Sequence, residues 1–366
     1  VVNKAGLIET VGSGEPRIDF SNDAKGALLL EPTRSNLVTY SEDFSQSFWT
    51  KSGTSVSNEN LSPDGNNNAF KLIENSANST HIIYSPNLTV SNGATLTTSI
   101  FVKSAGRDWF LLQESTTDYG YYFNNGQVGS AFGSPLSYKI DKLANGWYKY
   151  SITTVTPNTN GRLKLQLAES DGVTSYQGDG TSGVYIYGAQ LEQGSYATSY
   201  IPTQGSAVTR VADASSQTPS SGIIGQTEGT MFFEIDFANT SGVAGAWSIS
   251  SGSSANRITM NTLGFSLTQF TLSIAQNYNS SSTKLASTNV TYSDNHKVAI
   301  KYSATTLKLF VDGQLADSVA TDGFGNYTKF YLGGNQVGVG GDARKFIQAD
   351  LYNTALTDAE LQALTK

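Results

Sequence analysis

Short runs of Val, Ile, Tyr, Phe and Thr alternate with polar residues along most of the chain, and clusters of Gly, Asn, Asp and Ser separate them. This alternation with a period of two is the pattern of half-buried β-strands. The clearest runs lie at 296–302, 307–311 and 345–352, and Asp312–Gly313 after the second run is a two-residue hairpin signal. The pattern predicts an all-β protein whose strands are joined by tight turns.

One helix is predicted, and it lies at the C-terminal end. Helical periodicity is almost absent before Leu356. Thr357 is then a natural N-cap, and Glu360 three residues later completes a capping box. Two paired strands, a last strand and this helix resemble the end of a laminin-G-like, concanavalin-A-type β-sandwich. The resemblance implies a glycan-related function, because such sandwiches mostly bind glycans and a minority cleave them.

Strands are also predicted in the first part of the chain, where turn signals such as Asn92–Gly93 and Asn145–Gly146 separate the apolar runs. These strands are 95–103, 109–113, 146–154, 162–168 and 183–191.

Several ordered motifs in the first 213 residues resemble a segment that recurs in bacteriophage tail and other virion proteins. They include Pro-Arg-Ile-Asp at 16–19, Leu-Leu-Leu-Glu-Pro-Thr-Arg-Ser-Asn-Leu at 28–37, Tyr-Ser-Glu-Asp-Phe at 40–44, Gly-Trp-Tyr-Lys-Tyr at 146–150, Gly-Ala-Gln-Leu-Glu-Gln-Gly at 188–194 and Ser-Tyr-Ile-Pro-Thr at 199–203. In those proteins the segment leads into a jelly roll similar to carbohydrate-binding modules. The resemblance implies a place on a virion or outside cells, but no single activity, since this module accompanies many.

The chain of 366 residues is too long for one small core and suits two domains. We predict a lead-in of short strands at 1–37, a carbohydrate-binding-module-like jelly roll at 38–212, a linker at 213–221 and a laminin-G/concanavalin-A-like sandwich at 222–366. The chain begins at Val1 without Met or an apolar signal segment, so we expect it to be processed or to be part of a longer protein.

Composition narrows the expected partners. Charged residues make up 14% of the chain, so its polar surface must consist of Ser, Thr, Asn and Gly, as in extracellular and virion β-proteins. The net charge of -7, without a Lys/Arg cluster, disfavours nucleic acid and anionic membranes, and no apolar run is long enough to span a bilayer. A polysaccharide or surface glycan and other virion subunits are the expected partners, and a homo-oligomer is compatible with such a particle.

The inventory of reactive residues disfavours several chemistries. The absence of Cys excludes disulfides and thiolate sites, and two His make a zinc site or a His-dependent triad a poor explanation. The pattern requires no cofactor. A structural Ca²⁺ is an expectation from the resemblance alone. Its candidate ligands are Asp312, Asp322 and Asp342 in the second domain and Glu42, Asp43 and Glu192 in the first.

The sharpest catalytic pattern is Glu234-Ile235-Asp236-Phe237. It resembles the catalytic strand of laminarinase-type glycoside hydrolases, in which period-2 spacing places the carboxylates on one face. The second Glu of that motif would fall at position 238 or 239, where this chain has Ala and Asn. Glu234 and Asp236 are therefore the candidates if the protein is an enzyme, and solvated acids of a structural strand otherwise.

Aromatic residues flanked by amides and carboxylates suggest glycan contacts, because sugar rings stack their C–H faces on flat aromatic surfaces. In the first domain the richest patch contains Asp118, Tyr119, Tyr121 and Asn124. In the second domain the candidates are Trp247, Asn335 and Arg344. Trp49 and Trp147 are better explained as core residues.

Three functions remain open at this point. The first is a non-catalytic glycan-binding virion protein of the tail-fibre or adhesin type. The second is a glycoside hydrolase or lyase on the concanavalin-like sandwich, and the third is a structural virion decoration. The missing partner acid next to Glu234 favours the first of them.

Overall fold

The structure is a computed structural model. It describes residues 1–21, 24–219, 222–237, 244–265, 269–278, 281–291, 295–321, 323, 326–333 and 344–366. The predicted all-β fold is confirmed: in these described ranges, 31 strands are followed by one short C-terminal helix.

The elements, in chain order, are β1 (Ile18–Asp19), β2 (Ala27–Leu30), β3 (Arg34–Asn36), β4 (Thr50–Ser52), β5 (Thr54–Asn60), β6 (Ala69–Glu74), β7 (Asn78–Thr80), β8 (Ile82–Tyr84), β9 (Leu88–Thr89), β10 (Thr95–Ala105), β11 (Trp109–Glu114), β12 (Tyr119–Asn124), β13 (Gln127–Phe132), β14 (Ser137–Lys142), a 3-10 turn (Ala144–Gly146), β15 (Tyr148–Val155), β16 (Asn160–Gly161), β17 (Leu163–Ala168), β18 (Ser175–Gln177), β19 (Gly183–Gln193), β20 (Val208–Arg210), β21 (Ser215–Gln217), β22 (Gly229–Asp236), β23 (Ala244–Ser250), β24 (Arg257–Phe265), β25 (Gln269–Tyr278), β26 (Ser281–Thr291), β27 (Asn295–Tyr302), β28 (Thr306–Val311), β29 (Gln314–Ala320), β30 (Lys329–Leu332), β31 (Arg344–Tyr352) and α1 (Asp358–Leu364).

The chain forms two compact units. The first unit comprises Val1–Ser13, Phe20–Ala24 and Arg34–Arg210, and the second comprises Gly14–Asp19, Lys25–Thr33 and Val211–Lys366.

The first unit is a sandwich of two six-stranded antiparallel sheets. Their strand orders are β14-β15-β10-β19-β6-β5 and β13-β12-β11-β17-β8-β4. Alternate residues of both sheets, such as Leu96 and Ile100 of β10 and Phe110 and Leu112 of β11, meet in one buried core. The outer side of the first sheet is covered as well, because Phe101 and its neighbours pack against the N-terminal segment.

The second unit is also an antiparallel sandwich, with strand orders β1-β2-β31-β22-β27-β28-β29 and β21-β30-β23-β24-β25-β26. Its core contains Phe233 of β22 and Trp247 of β23, whose rings stack with centroids 4.9 Å apart. Strands β1 and β2, from the segment expected to be a lead-in, extend this unit through the pairing of Leu28 with Phe346.

Residues of the virion-like motifs hold parts of each unit together. In the second unit, the guanidinium of Arg17 bonds to the carboxylates of Glu31 (2.6 Å) and Asp213 (2.5 Å). In the first unit, the buried amide of Asn36 donates to the backbone carbonyls of Ala189 and Ile201. These motifs therefore have a structural role, since each residue satisfies buried polar groups of segments far apart in the chain.

Two local predictions at the C-terminal end are confirmed. Asp312 and Gly313 both have positive φ (48° and 80°) and form the tight turn between β28 and β29. The Thr357 hydroxyl accepts from the Glu360 backbone N–H at 3.3 Å, and the Glu360 carboxylate accepts from the Thr357 N–H at 2.7 Å. Among the described residues, no helix has the length and apolarity that a membrane crossing requires.

Candidate functional site

One sheet of the first unit, β13-β12-β11-β17-β8-β4, carries the most distinctive group of side chains on its outer side. We call this outer side the open face. Phe110 and Leu112 of β11 point into the core, so Trp109, Leu111 and Gln113 point to the other side of the sheet.

The strand register aligns one residue from each of the six strands on this face. Gln113 pairs with Gly120 on one side and with Lys164 on the other, and Lys164 pairs in turn with Tyr84. Directly paired residues point to the same side of an antiparallel sheet. The resulting central row consists of Phe132, Gly120, Gln113, Lys164, Tyr84 and Thr50. It crosses five strand spacings, or roughly 24 Å.

One end of the central row contains an aromatic residue, Phe132, and the amide of Gln113. Phe132 is 40% exposed. Beside it, Gly120 makes room for the Gln113 side chain, because a Cβ at Gly120 would lie 2.9 Å from Gln113 Cγ and 2.1 Å from the Leu112 carbonyl oxygen. Gln113 is 1% exposed, and its Oε1 has no hydrogen-bond partner in the described part of the chain. An unpaired buried acceptor is costly, so Gln113 Oε1 is an unfavourable feature of this part of the sheet.

Two basic residues come next along the face: Lys164 on β17 and Arg162 just before that strand. Arg162 donates from Nε to Ser115 Oγ at 2.8 Å, and its Cζ lies 5.2 Å from the ring centroid of Tyr84. Lys164 is half-buried and makes no hydrogen bond or ion pair with another described residue. Burial lowers the pKa of Lys164, Asp118 opposes this shift, and Arg162 adds to it.

The opposite end of the open face is filled by a loop of the same unit. Leu111, Tyr122 and Ala168 form a small buried cluster with Trp109 beside it. Gln166 donates to the Thr174 carbonyl at 3.4 Å. The accessible part of the face is therefore its other end, around Lys164 and Tyr84, which are both partly exposed.

The structure divides the aromatic patch predicted in the first unit. Tyr119 and Tyr121 share the core side of β12 with Phe123, and the Tyr121 ring lies 5.0 Å from that of Tyr138. Asn124 lies on the open face, where it pairs with Trp109. Asp118 is an exposed turn residue with a φ of 55°. The four residues predicted together thus do not form one surface.

The candidates in the second unit are mostly internal. Trp247 is 0% exposed and donates from Nε1 to Met260 Sδ at 3.2 Å. Arg344 is 2% exposed, and one of its guanidinium nitrogens donates to Thr262 Oγ1. Neither side chain has surface to offer a glycan, so both are better explained as core residues. Asn335 lies outside the described residues.

Glu234 and Asp236 point to the outer side of β22, while Phe233 and Ile235 are fully buried. The positions facing Glu234 on the adjacent strands are Lys297 and Gln348. Those facing Asp236 are Asn295 and Lys345. The residues directly opposite the two acids are thus amines and amides, and Asp350 stands opposite Phe232 on the same side of the sheet.

Each described carboxylate that was a candidate Ca²⁺ ligand accepts a hydrogen bond from another group of the protein. Asp312 Oδ2 lies 2.7 Å from His296 Nδ1, and its Oδ1 accepts from the Lys297 N–H. In the first unit Glu42, Asp43 and Glu192 accept from Tyr187, Ser45 and Thr198, respectively. Within the described ranges no three His, Cys, Asp or Glu residues are grouped as a metal site would require. Asp322 and Asp342 lie outside those ranges.

No family model matches this sequence, and no curated protein matches it. Solved structures with a similar fold include a sialidase CBM40 of Ruminococcus gnavus bound to α2,3-sialyllactose, with 16% identity, a TM-score of 0.31 and coverage of 39% of this chain and 84% of that one. A second is the xyloglucan-locus GH43B of Bacteroides ovatus, with 8% identity, a TM-score of 0.27 and coverage of 84% of this chain and 76% of that one. A third is domains LG4-5 of the mouse laminin α1 chain, with 13% identity, a TM-score of 0.24 and coverage of 77% of this chain and 90% of that one. At these values none of them assigns a ligand or a residue role to this chain.

Sequence patterns did not reveal the central row. The strands at 109–113 and 162–168 were predicted, and their alternation alone places Gln113 and Lys164 on outward positions. The pairing of β17 with β8, which brings Tyr84 next to Lys164, joins residues 80 positions apart and has no local signal.

Proposed function

We propose that the first unit is a non-catalytic glycan-binding module and that the open face holds the glycan. The observation that supports this is the central row, in which Phe132 and Tyr84 flank the polar ends of Gln113 and Lys164 on one side of a sheet.

The chemistry of the row suits a sugar. Rings of hexoses present apolar C–H faces that pack on aromatic side chains, and their hydroxyls both donate and accept hydrogen bonds. Tyr84 and the exposed Phe132 offer such aromatic surfaces, and Lys164 offers three donors. Because these groups stand on paired strands, little conformational entropy is lost when a ligand binds.

The virion-like motifs support a setting on a phage tail or a similar particle. A shallow sheet face binds one glycan weakly, and display of many copies would raise the avidity. In this proposal the second unit, together with other virion subunits, positions the binding unit.

The proposal is tested by affinity electrophoresis of the full chain in gels that contain bacterial or algal polysaccharides. We expect retardation by at least one polysaccharide and its loss in Tyr84→Ala and Phe132→Ala. The matched control is Tyr138→Ala, which removes an aromatic side chain that is 44% exposed on β14 of the other sheet. Loss of binding in Tyr138→Ala alone would move the site to the Tyr121 side of the unit. Retardation by no polysaccharide would overturn the proposal.

A further inference from the structure

We infer that the open face selects glycans that carry carboxylate groups, and that Lys164 and Arg162 bind the carboxylate. This inference rests on the proposed function, because it names the class of glycan that the same face would hold.

The first argument is local charge. The chain carries a net charge of -7, yet two cations stand next to each other on this face. The cross-strand neighbours of Lys164 are Gln113 and Tyr84, and neither is a carboxylate. The acid that acts on Lys164 is Asp118, an exposed residue of the turn before β12. A second carboxylate, that of Glu114, accepts from the Arg162 backbone N–H at 2.9 Å, but Glu114 is fully buried. The accessible end of the face thus presents two cationic side chains on an acidic protein, which favours an anionic ligand.

The second argument is the geometry of the Arg162 guanidinium. Its Nε is held by Ser115 Oγ, and its plane lies near the Tyr84 ring. Its two terminal nitrogens make no hydrogen bond with another described residue. A guanidinium fixed in this way presents two parallel donors, which match the two oxygens of a carboxylate.

The third argument concerns Lys164 and Gln113. A half-buried ammonium without a partner is an unfavourable arrangement unless binding supplies the counter-charge. Lys164 lies between Arg162 on its own strand and Gln113 on β11. A carboxylate could therefore contact both cations, while the sugar ring packs beside Tyr84. Together these groups would recognise a uronic or similar sugar acid.

The test compares matched ligands that differ only in charge. Isothermal titration calorimetry would measure binding of the full chain to alginate, polygalacturonate and hyaluronate, and to the carboxyl-reduced form of each. We expect at least one acidic polymer to bind, and its reduced form to bind roughly tenfold or more weakly, since a hydrogen bond to a charged group contributes about that much. Raising the salt concentration from 0.1 to about 1 M should weaken the acidic ligand selectively.

Matched variants locate the effect. Lys164→Met and Arg162→Gln should each reduce binding of the acidic polymer while binding of any reduced polymer changes little. The control is Lys142→Met, which removes an exposed lysine from β14 of the other sheet.

The outcomes separate the inference from the proposed function. Equal binding of acidic and reduced polymers, lost in Tyr84→Ala, would overturn the inference and leave the proposed function in place. Unchanged acidic binding in Lys164→Met and Arg162→Gln would also overturn the inference. Binding of no glycan, acidic or neutral, would overturn both.

Discussion

Gln113 and Lys164 face each other on neighbouring strands of one sheet, and neither Gln113 Oε1 nor Lys164 Nζ has a hydrogen-bond partner among the described residues. The buried, unpaired Gln113 Oε1 reduces the stability of the fold, and the partial burial of the Lys164 ammonium adds a smaller penalty. Such a cost is typical of sites that a ligand completes.

Replacing Lys164 by Met should raise the thermal midpoint of the protein at neutral pH. Burial lowers the pKa of Lys164, so its charged form is less favourable in the folded state than in the unfolded state. The penalty is fully present below the folded-state pKa, decreases as the pH rises above it, and is gone above the unfolded-state pKa. Because the side chain is only half-buried, we expect a gain of about 1 kcal/mol or less. Differential scanning calorimetry of Lys164→Met and Lys142→Met would measure it, and a lower midpoint for Lys164→Met would contradict this account.

The affinity for an acidic glycan should fall as the pH rises through the pKa of Lys164. A bound carboxylate stabilises the ammonium, so binding raises the pKa of Lys164 above its lowered value in the free protein. Protons should therefore be taken up on binding at alkaline pH.

Titrations from about pH 7 to about pH 10, in two buffers with different ionisation enthalpies, would measure this proton uptake. The charged groups that act on Lys164 are Asp118, which raises its pKa, and Arg162, which lowers it. An affinity that is constant over this range in the wild type, or the same decline in Lys164→Met, would contradict the assignment.

Substituting Gly120 by Ala should destabilise the first unit and disturb the central row. The added Cβ would meet the Leu112 carbonyl oxygen at 2.1 Å, so a backbone must shift. Such overpacking costs about 1–3 kcal/mol. Gly172→Ala is the comparison, because no atom lies within 4 Å of its Cβ position and only its φ of 80° opposes the change. Urea denaturation would measure the free energy of unfolding of the two variants. A smaller decrease for Gly120→Ala than for Gly172→Ala would contradict this account, because it would show that the sheet accommodates the added methyl group.

Glu234→Gln should leave both stability and activity assays unchanged. Glu234 is on the outer side of β22, and the residues directly opposite it are Lys297 and Gln348 rather than a carboxyl group. Exposed substitutions of this kind usually change stability by no more than about 0.5 kcal/mol. The assay is release of reducing or unsaturated ends from the polysaccharides that the wild type binds. Product formed by the wild type and abolished in Glu234→Gln would establish the hydrolase alternative instead.

Local signals in the sequence were sufficient for several elements. The alternation at 296–302 and 307–311 corresponds to β27 and β28, and Asp312–Gly313 forms the turn after them. The capping box of Thr357 and Glu360 starts the helix. Each of these features depends on residues within one turn or one strand, so no long-range information is needed.

The candidate site depended on long-range pairing. Trp247 and Arg344 are residue types that often contact glycans, yet both are buried in the core of the second unit. Tyr121 and Asn124 are close in sequence but lie on opposite sides of β12, because a strand alternates its side chains.

By itself, the sequence determined the all-β class, the tight turns and the capped helix, because these follow from residue patterns over a few positions. Only the tertiary structure decided that Phe132, Gln113, Lys164 and Tyr84 stand in one row. The physical reason is that register between strands is set by the burial of a shared core, which brings together residues separated by many tens of positions.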